Sequence, residues 1–167
     1  MTVTDELQAT IEQMVQPGKG ILAADEGLPT ITKRFAAITI EATKDNRRAY
    51  RALLFTAPGI EEYISGVIAF EETLTQSSAD GTPLPEVLAQ RGIVTGVNVD
   101  KGKGPLALSP GDIITYGLDG LAERMQQYKS QGARFAKWRE VYAITERNPT
   151  VLGITANAEM LARYAAV

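Results

Sequence analysis

The chain contains neither histidine nor cysteine among its 167 residues, and these two absences limit its chemistry. Without cysteine there is no disulfide, no thiolate nucleophile and no thiolate ligand for zinc or an iron–sulfur cluster. Without histidine there is no serine–histidine–aspartate triad, no imidazole base and no imidazole metal ligand. Lysine, arginine, carboxylates, tyrosine and serine remain, and they are suited to imine formation and to carboxylate acid–base catalysis.

Charged residues stand where four short apolar runs end. Each run is typical of a buried strand in a parallel sheet. In a barrel of parallel strands the carboxyl ends of the strands converge on the face that carries the active site. The pattern therefore predicts a charged site at the ends of the strands. The charged residues are Asp25-Glu26, Glu71-Glu72, Asp100-Lys101, and Lys137 with Arg139.

Lys137 and Arg139 carry the strongest functional signal. Because side chains alternate along a strand, both point to one face and Trp138 points to the other. If that face is enclosed, carboxylates or an anionic ligand must compensate the two cations. Asp25 can lean across the mouth to do so, and a lysine facing an aspartate suits proton transfer at a carbonyl or imine carbon. Spacing alone leaves equally open the alternative that both cations face solvent.

Apolar spacing predicts alternating strands and helices along the chain. Strands separated by helices, without hairpin signals, form parallel βα units, so we expect an α/β fold. No GxGxxG or GxxxxGK[ST] phosphate turn is present, which favours a (β/α)8 TIM barrel over an open doubly wound sheet. Strands are expected at 20–25, 63–70, 92–99 and 133–138, and helices at 5–15, 30–37, 43–56, 84–91, 117–130 and 155–166.

The length of the chain accommodates only part of such a barrel. A complete (β/α)8 barrel takes roughly 250 residues. Four βα units already occupy residues 1–167, and no linker or low-complexity tract interrupts them. We therefore expect a single incomplete domain, 1–167, which consists of the first four βα units of a barrel and is thus a half-barrel.

Two further charged segments have simpler interpretations. Arg47, Arg48 and Arg51 are expected to form a solvated helix face paired with Asp45, in preference to a phosphate site. The segment KGKGPLALSPGD, at 101–112, is expected to be a loop with solvated lysines.

Charge and hydropathy limit the partners of the protein. The 17 Lys+Arg and 20 Asp+Glu residues give a net charge of −3, whereas nucleic acids and anionic membranes attract basic surfaces. No segment approaches the roughly 20 apolar residues of a membrane span. The amino terminus, MTVTDELQAT, lacks the architecture of a secretion signal. We therefore expect a cytoplasmic protein that binds neither nucleic acid nor membranes.

Seven segments, in order and in register over essentially the whole chain, form a specific pattern. They are PGKGILAADE (17–26), NRRAYRALLFT (46–56), YISGVIAFEETL (63–74), VDKG (99–102), GLDGLAERMQQY (117–128), GARFAKWR (132–139) and LARYA (161–165). Together they resemble the class I fructose-1,6-bisphosphate aldolase family. The resemblance implies a (β/α)8 barrel that cleaves fructose 1,6-bisphosphate to dihydroxyacetone phosphate and glyceraldehyde 3-phosphate through a lysine Schiff base, with no metal or other cofactor.

The resemblance also implies roles for individual residues. Asp25 would orient a substrate hydroxyl and hold the neighbouring lysine. Lys137 would assist carbinolamine proton transfers beside the imine and help to keep the pKa of the nucleophile low through its charge. Arg139 would bind substrate oxygens or phosphate, and Arg34 would contact the sugar phosphate at the rim. Glu26 also matches the family, without an assigned role.

Two departures from the family pattern bear on activity. The imine lysine and the glutamate acid–base of the family lie on later strands, so we expect an N-terminal half that is inactive alone. Gly27, Thr30 and Asn98 stand where the family usually has two serines and a lysine that bind the distal phosphate. Because a charge-assisted hydrogen bond contributes roughly 1.5–3 kcal/mol and a neutral one about 1 kcal/mol, that phosphate is expected to bind more weakly than in the family, by about tenfold or more.

Three interpretations of function follow. The favoured one is the N-terminal half of a glycolytic fructose-bisphosphate aldolase that binds a sugar phosphate and is a homo-oligomer at full length. The second is an aldolase relative that acts on an altered or unphosphorylated aldehyde acceptor, as Gly27 and Asn98 suggest. The third is a non-catalytic half-barrel that binds a sugar phosphate or dimerises through its open sheet edges.

Overall fold

The alternating strands and helices predicted from the sequence are present in the protein. A computed structural model describes residues 2–167. Within this range no helix has both the length and the hydropathy that crossing a bilayer requires. The strands are β1 (Gly20–Ala24), β2 (Ile64–Ala69), β3 (Val94–Asn98), β4 (Lys103–Pro105), β5 (Ile113–Thr115) and β6 (Phe135–Lys137). The helices are α1 (Val3–Met14), α2 (Leu28–Ala36), α3 (Lys44–Phe55), α4 (Ile60–Tyr63), α5 (Leu84–Gln90), α6 (Leu121–Ser130) and α7 (Val151–Ala166), with one 3-10 helix at Glu71–Thr75.

Four of these strands form one sheet in the order β1-β2-β3-β6. β1 pairs with β2, and β2 with β3, in parallel, as strands joined by helical connections must. The strands of this sheet follow one another in the order in which they occur along the chain. A (β/α)8 barrel has the same succession of strands. The predicted α/β fold with parallel strands is confirmed.

The chain divides into two compact units. The first comprises Met1–Asn98 and Tyr128–Ala136, and the second comprises Val99–Gln127 and Lys137–Val167. The expectation of a single incomplete domain stays a prediction. Buried apolar side chains of the first unit include Ile31, Phe35, Phe55, Val67 and Leu88, and those of the second include Val99, Leu121 and Met160.

The parallel register of the first unit brings the carboxyl ends of its strands to one edge. Ala24 is level with Ala69, and Ala69 is level with Val97. Asp25 follows the first of these strands, and Asn98 ends the third. The main-chain register alone therefore places these two polar residues at the same edge of the sheet.

An antiparallel hairpin in the second unit was not expected. β4 pairs with β5, and Lys103 lies opposite Thr115, where the sequence predicted a loop. The prediction of a loop was wrong because Gly104 and Pro105 obscure a strand of only three residues, since both residue types are rare in strands. A Cβ at position 104 would lie 2.1 Å from the Tyr116 hydroxyl oxygen, so any larger residue here would displace the half-exposed Tyr116 side chain.

The helix predicted at the amino terminus is α1, but its apolar side chains are not buried. Leu7 is 59% and Ile11 is 54% exposed, whereas Thr10 is only 8% exposed. The helix begins with a capping box, in which Thr2 and Asp5 bind each other's main-chain N–H groups. The local sequence thus fixes where α1 begins, and its apolar spacing does not identify its buried side.

A buried carboxylate joins the β4–β5 hairpin to the start of α7. Asp112, which is 3% exposed, accepts hydrogen bonds from the Thr150 hydroxyl at 2.5 Å, from Asn148 Nδ2 at 3.0 Å and from the Ser109 hydroxyl at 2.8 Å. Thr150 in turn caps α7 by accepting from the N–H of Gly153. These bonds, above all the one from Thr150, lower the pKa of Asp112 from 3.8 to about 2.

Protonation of Asp112 is expected to destabilise the second unit. The pKa of Asp112 is about 2 in the folded protein and 3.8 ordinarily. The stabilisation that the ionised carboxylate provides is therefore complete above pH 3.8 and is lost as the pH falls toward 2. Thermal unfolding between pH 7 and pH 2 measures it, with Asp112→Asn expected to start from a lower Tm and to decline less steeply. Asp80, whose pKa is lowered to about 2 chiefly by the Ser78 hydroxyl, titrates in both proteins. Parallel curves for the two proteins would contradict the assignment to Asp112.

Candidate functional site

The ends of β1 and β3 meet through their side chains. Asn98 Nδ2 donates a hydrogen bond to Asp25 Oδ2 at 2.8 Å. Because β2 lies between the two strands, the contact reaches over the end of the central strand. Two residues predicted separately, one as a catalytic acid and one as a phosphate contact, are therefore brought together, and the amide orients the carboxylate.

Glu26, the next residue along the chain, binds in another direction. Its Oε2 accepts from Arg51 Nη1 at 2.5 Å, and its carbonyl oxygen accepts from Arg51 Nη2 at 2.7 Å. Its Oε1 accepts from the Tyr50 hydroxyl at 3.1 Å and from Arg34 Nη1. The side chains of Arg51 and Glu26 are 3% and 9% exposed, whereas that of Arg34 is 57% exposed. One buried acid thus connects α3 to an exposed cation on α2.

The arginine flank of α3 is a packed face. Arg47 binds Glu72 through two parallel hydrogen bonds, Nε to Oε2 at 2.8 Å and Nη2 to Oε1 at 2.6 Å, and Arg48 donates to the Ser77 carbonyl at 3.2 Å. The expectation that Arg47, Arg48 and Arg51 form a solvated face paired with Asp45 was wrong. The acids that follow β1 and β2, Glu26 and Glu72, supply the counter-charges, with side chains 9% and 21% exposed. The hydrogen bonds from Arg47 lower the pKa of Glu72, helped by the nearby cations and opposed by burial.

Two of the three residues predicted near the distal phosphate, Gly27 and Thr30, lie at the start of α2, whereas Asn98 ends β3. Gly27 is the N-cap of that helix, with an ordinary φ of −68° and no side-chain cap, and Thr30 is exposed in its first turn. A Cβ at position 27 would meet only ordinary van der Waals contacts, 3.8 Å from the Phe70 ring and 4.0 Å from Pro29. The backbone therefore accepts a serine at position 27, and the glycine there is not a conformational requirement.

The second unit pairs one predicted cation with a buried acid. Arg139 Nη2 donates to Asp100 Oδ1 at 2.9 Å, with the two side chains 44% and 3% exposed. Asp100 Oδ1 also accepts from the N–H of Gly102 at 3.0 Å. Arg139 is therefore paired with an acid although its side chain remains exposed to solvent. Its remaining guanidinium edge is open to an anion.

Lys137 and Trp138 directly precede Arg139 in the sequence. Lys137 is half-buried and ends β6, and its carbonyl accepts from the N–H of Val99 at 3.1 Å. The Trp138 ring packs against the Tyr164 ring of α7 with 5.0 Å between centroids. Lys137 and Asp25 belong to different units, so their pairing, like the catalytic roles of both, stays a prediction.

Sequence reasoning missed the ion-pair partners, although a signal was present. Arg47 and Arg51 are four residues apart, so they share a helix face with Phe55, which is 1% exposed. Glu26 and Glu72 each follow shortly after the end of a strand. An arginine pair in register with a buried aromatic residue, together with acids at strand ends, predicts a packed face.

The strand ends of each unit carry groups that could bind anions or hold a proton. In the first unit, hydrogen bonds orient the Asp25 and Glu26 carboxylates. In the second unit, a hydrogen bond orients the Arg139 guanidinium. Guanidinium groups with open edges suit phosphate, and an oriented carboxylate suits a substrate hydroxyl. Across residues 2–167, no cluster of three or more acidic side chains could hold a metal ion.

The amino-acid sequence is similar to known proteins along nearly its whole length. The sequence model of the family described as "Glycolytic: Fructose-bisphosphate aldolase class-I" matches residues 6–167. The chain is 52% identical over 163 residues to "Probable fructose-bisphosphate aldolase class 1" of Xanthomonas campestris pv. campestris, covering 98% of this chain and 49% of that protein. It is also 52% identical to "Fructose-bisphosphate aldolase 7, cytosolic" of Arabidopsis thaliana, covering 98% of this chain and 46% of that protein.

The structure is similar to a solved one over the same extent. A fructose-bisphosphate aldolase of Plasmodium falciparum, crystallised as a ternary complex with TRAP and a small-molecule inhibitor, aligns with a TM-score of 0.94 and 48% sequence identity. The alignment covers 98% of this chain and 48% of that one. The chain therefore spans about half the length of the relatives that it matches.

Removal of the Arg51 guanidinium is expected to destabilise the first unit far more than removal of the Arg34 guanidinium. Arg51→Met removes the buried partner of the Glu26 carboxylate and leaves it only the exposed Arg34 and the Tyr50 hydroxyl, which costs roughly 3–5 kcal/mol. Arg34→Met acts on the same carboxylate from an exposed position and costs less than about 1 kcal/mol. Urea unfolding of both variants and the parent measures the difference, and equal losses would show that burial of the Arg51–Glu26 pair is not decisive.

Proposed function

Because the chain belongs to the class-I fructose-bisphosphate aldolase family, we propose that it supplies the substrate-orienting half of an aldolase that cleaves fructose 1,6-bisphosphate through a Schiff base. The resemblance read from the seven segments is confirmed by the family match over residues 6–167. The observation that carries the proposal is the placement of Asp25 at the carboxyl edge of the parallel sheet, with its carboxylate oriented by Asn98 at 2.8 Å.

In this proposal four charged residues each act on one part of the substrate. Asp25 accepts a hydrogen bond from a substrate hydroxyl and positions it for proton transfer. Lys137 donates and accepts protons as the carbinolamine forms and loses water, and its charge keeps the pKa of a neighbouring amine low. Arg139, fixed on one side by Asp100, directs its open edge to substrate oxygens or phosphate. Arg34 contacts a phosphate at the rim.

The imine itself requires a lysine that the family carries on a later strand. We therefore assign residues 1–167 no imine-forming role, and we expect no turnover from them alone. The full-length protein is proposed to be a cytoplasmic homo-oligomer that binds a sugar phosphate and neither nucleic acid nor membranes. The Arabidopsis relative that is named cytosolic supports the location.

A second candidate is an aldolase whose aldehyde acceptor carries no phosphate or a different one. The observation that favours it is the engagement of the Asn98 amide with Asp25, at a position where the family usually carries a phosphate-binding lysine. Gly27 adds to this because it offers no hydroxyl. Both candidates share the Schiff-base reaction and differ in what binds the distal end of the substrate.

A chimeric enzyme tests the reaction. Residues 1–167 replace the matching half of the Xanthomonas campestris relative, with which they share 52% identity. We expect cleavage of fructose 1,6-bisphosphate and a covalent adduct when the substrate is trapped with borohydride. Lys137→Met is expected to lower kcat by roughly 10²–10⁴-fold, the usual contribution of a positioned acid–base group. The Xanthomonas parent is the control, and a folded chimera without either activity would overturn the proposal.

The same chimera decides between the two acceptors. We expect Gly27→Ser with Asn98→Lys to raise the ratio of kcat/KM for fructose 1,6-bisphosphate over fructose 1-phosphate by about tenfold, because a charge-assisted contact to the distal phosphate is gained. The backbone at position 27 accepts the new side chain. A strong preference of the unaltered chimera for the bisphosphate excludes the second candidate.

A further inference from the structure

Glu26 has no role in the proposed reaction, yet its carboxylate is held by three side chains. Arg51 binds one oxygen, and Tyr50 and Arg34 bind the other. We propose that Glu26 is a positioning residue that fixes the Arg34 guanidinium as a phosphate-binding group, while Arg51 and Tyr50 hold Glu26 in place. The inference rests on the proposed function, since the ligand is the phosphate of a sugar phosphate.

Arg51 supplies an immobile support for the carboxylate. One of its terminal nitrogens donates to Glu26 Oε2 at 2.5 Å and the other donates to the Glu26 carbonyl oxygen at 2.7 Å. The planar guanidinium therefore binds the side chain and the main chain of one residue at once, which fixes the orientation of the carboxylate as well as its position. Burial of Arg51, 3% exposed, protects these bonds from water.

Tyr50 links the carboxylate to the cation that it positions. Its hydroxyl donates to Glu26 Oε1 at 3.1 Å and accepts from Arg34 Nη1 at 3.5 Å. Its ring packs edge-on against Phe35, the residue after Arg34 on α2, with 5.7 Å between ring centroids. Tyr50 thus contacts both sides of the Glu26–Arg34 pair.

The charges in this cluster leave Arg34 attractive to an anion. Arg51 and Arg34 are cations and Glu26 is one anion, so the three groups together keep one positive charge. Because the buried Arg51 already compensates the carboxylate, Glu26 can orient Arg34 without cancelling its charge. The Arg34 side chain is 57% exposed, and within the described chain only its Nη1 donates a hydrogen bond. Its Nε and Nη2 are available for two parallel bonds to a phosphate.

Positioning and simple electrostatics predict opposite effects of Glu26→Gln. If Glu26 were only a neighbouring charge, its neutralisation would strengthen the binding of an anion. If Glu26 positions Arg34, the same substitution weakens binding because the guanidinium is no longer fixed. We expect the Kd for fructose 1,6-bisphosphate to rise about three- to tenfold, and Arg34→Gln to raise it about tenfold.

The experiment is an NMR titration of residues 1–167 with fructose 1,6-bisphosphate, because NMR measures weak affinities and also reports the mobility of the Arg34 Nε–Hε group. Glu26→Gln is expected to increase that mobility, and Glu26→Asp to restore part of the order and of the affinity. A folded Glu26→Gln variant that binds as tightly as the parent, or more tightly, overturns the inference. So does an Arg34→Gln variant with unchanged affinity.

Tyr50→Phe keeps the test decisive if Glu26→Gln does not fold. It removes only the hydroxyl and is expected to weaken binding about two- to fivefold, and unchanged affinity overturns the inference. If the parent binds no bisphosphate at all, the proposed function fails separately. The positioning role is then decided by the Arg34 Nε–Hε group, and equal mobility in the parent and in Tyr50→Phe overturns it.

Discussion

The buried ion pair between Arg51 and Glu26 is the constraint on which the arrangement of the first unit depends. With side chains 3% and 9% exposed, the two charges have little contact with water, so each depends strongly on the other for compensation. α3 must therefore turn its arginine flank toward the sheet edge, and Leu53 is left 69% exposed as a result. The rotation of this helix is set by charge pairing as well as by burial of Phe55.

This pair also separates the functions of two adjacent acids. Asp25 turns to Asn98 at the end of β3, and Glu26 turns to Arg51 on α3. Consecutive side chains at a strand end point in different directions, so each carboxylate has its own donors. In the proposed function the first acid orients a substrate hydroxyl, and in the proposed positioning role the second supports Arg34. The different directions of the two side chains follow from the end of β1 at Ala24, directly before them.

The differences from the family pattern lie at the proposed phosphate contacts. By the resemblance drawn from the sequence, Asp25, Lys137 and Arg139 match the family pattern, whereas Gly27 and Asn98 depart from it. The ordinary φ at Gly27 shows that its backbone does not demand glycine, and Asn98 uses its amide on Asp25. The matching residues take part in the proposed Schiff-base chemistry. The residues that depart from the pattern lie at the positions proposed to contact the distal phosphate of the substrate.

The sequence by itself determined the parallel strands, the charged residues at their ends and the family, because these depend on local apolar runs and on the order of the motifs. It did not determine which charges are buried. Arg51 and Glu26 are 25 residues apart, and an arginine has the same place in a sequence pattern whether it faces water or an acid. Only the packing of α3 on the sheet edge decided this, since burial of a charge depends on a counter-charge that the tertiary structure brings to it. The β4–β5 hairpin was likewise decided by packing, because Gly104 makes room for Tyr116 where strand propensity is weak.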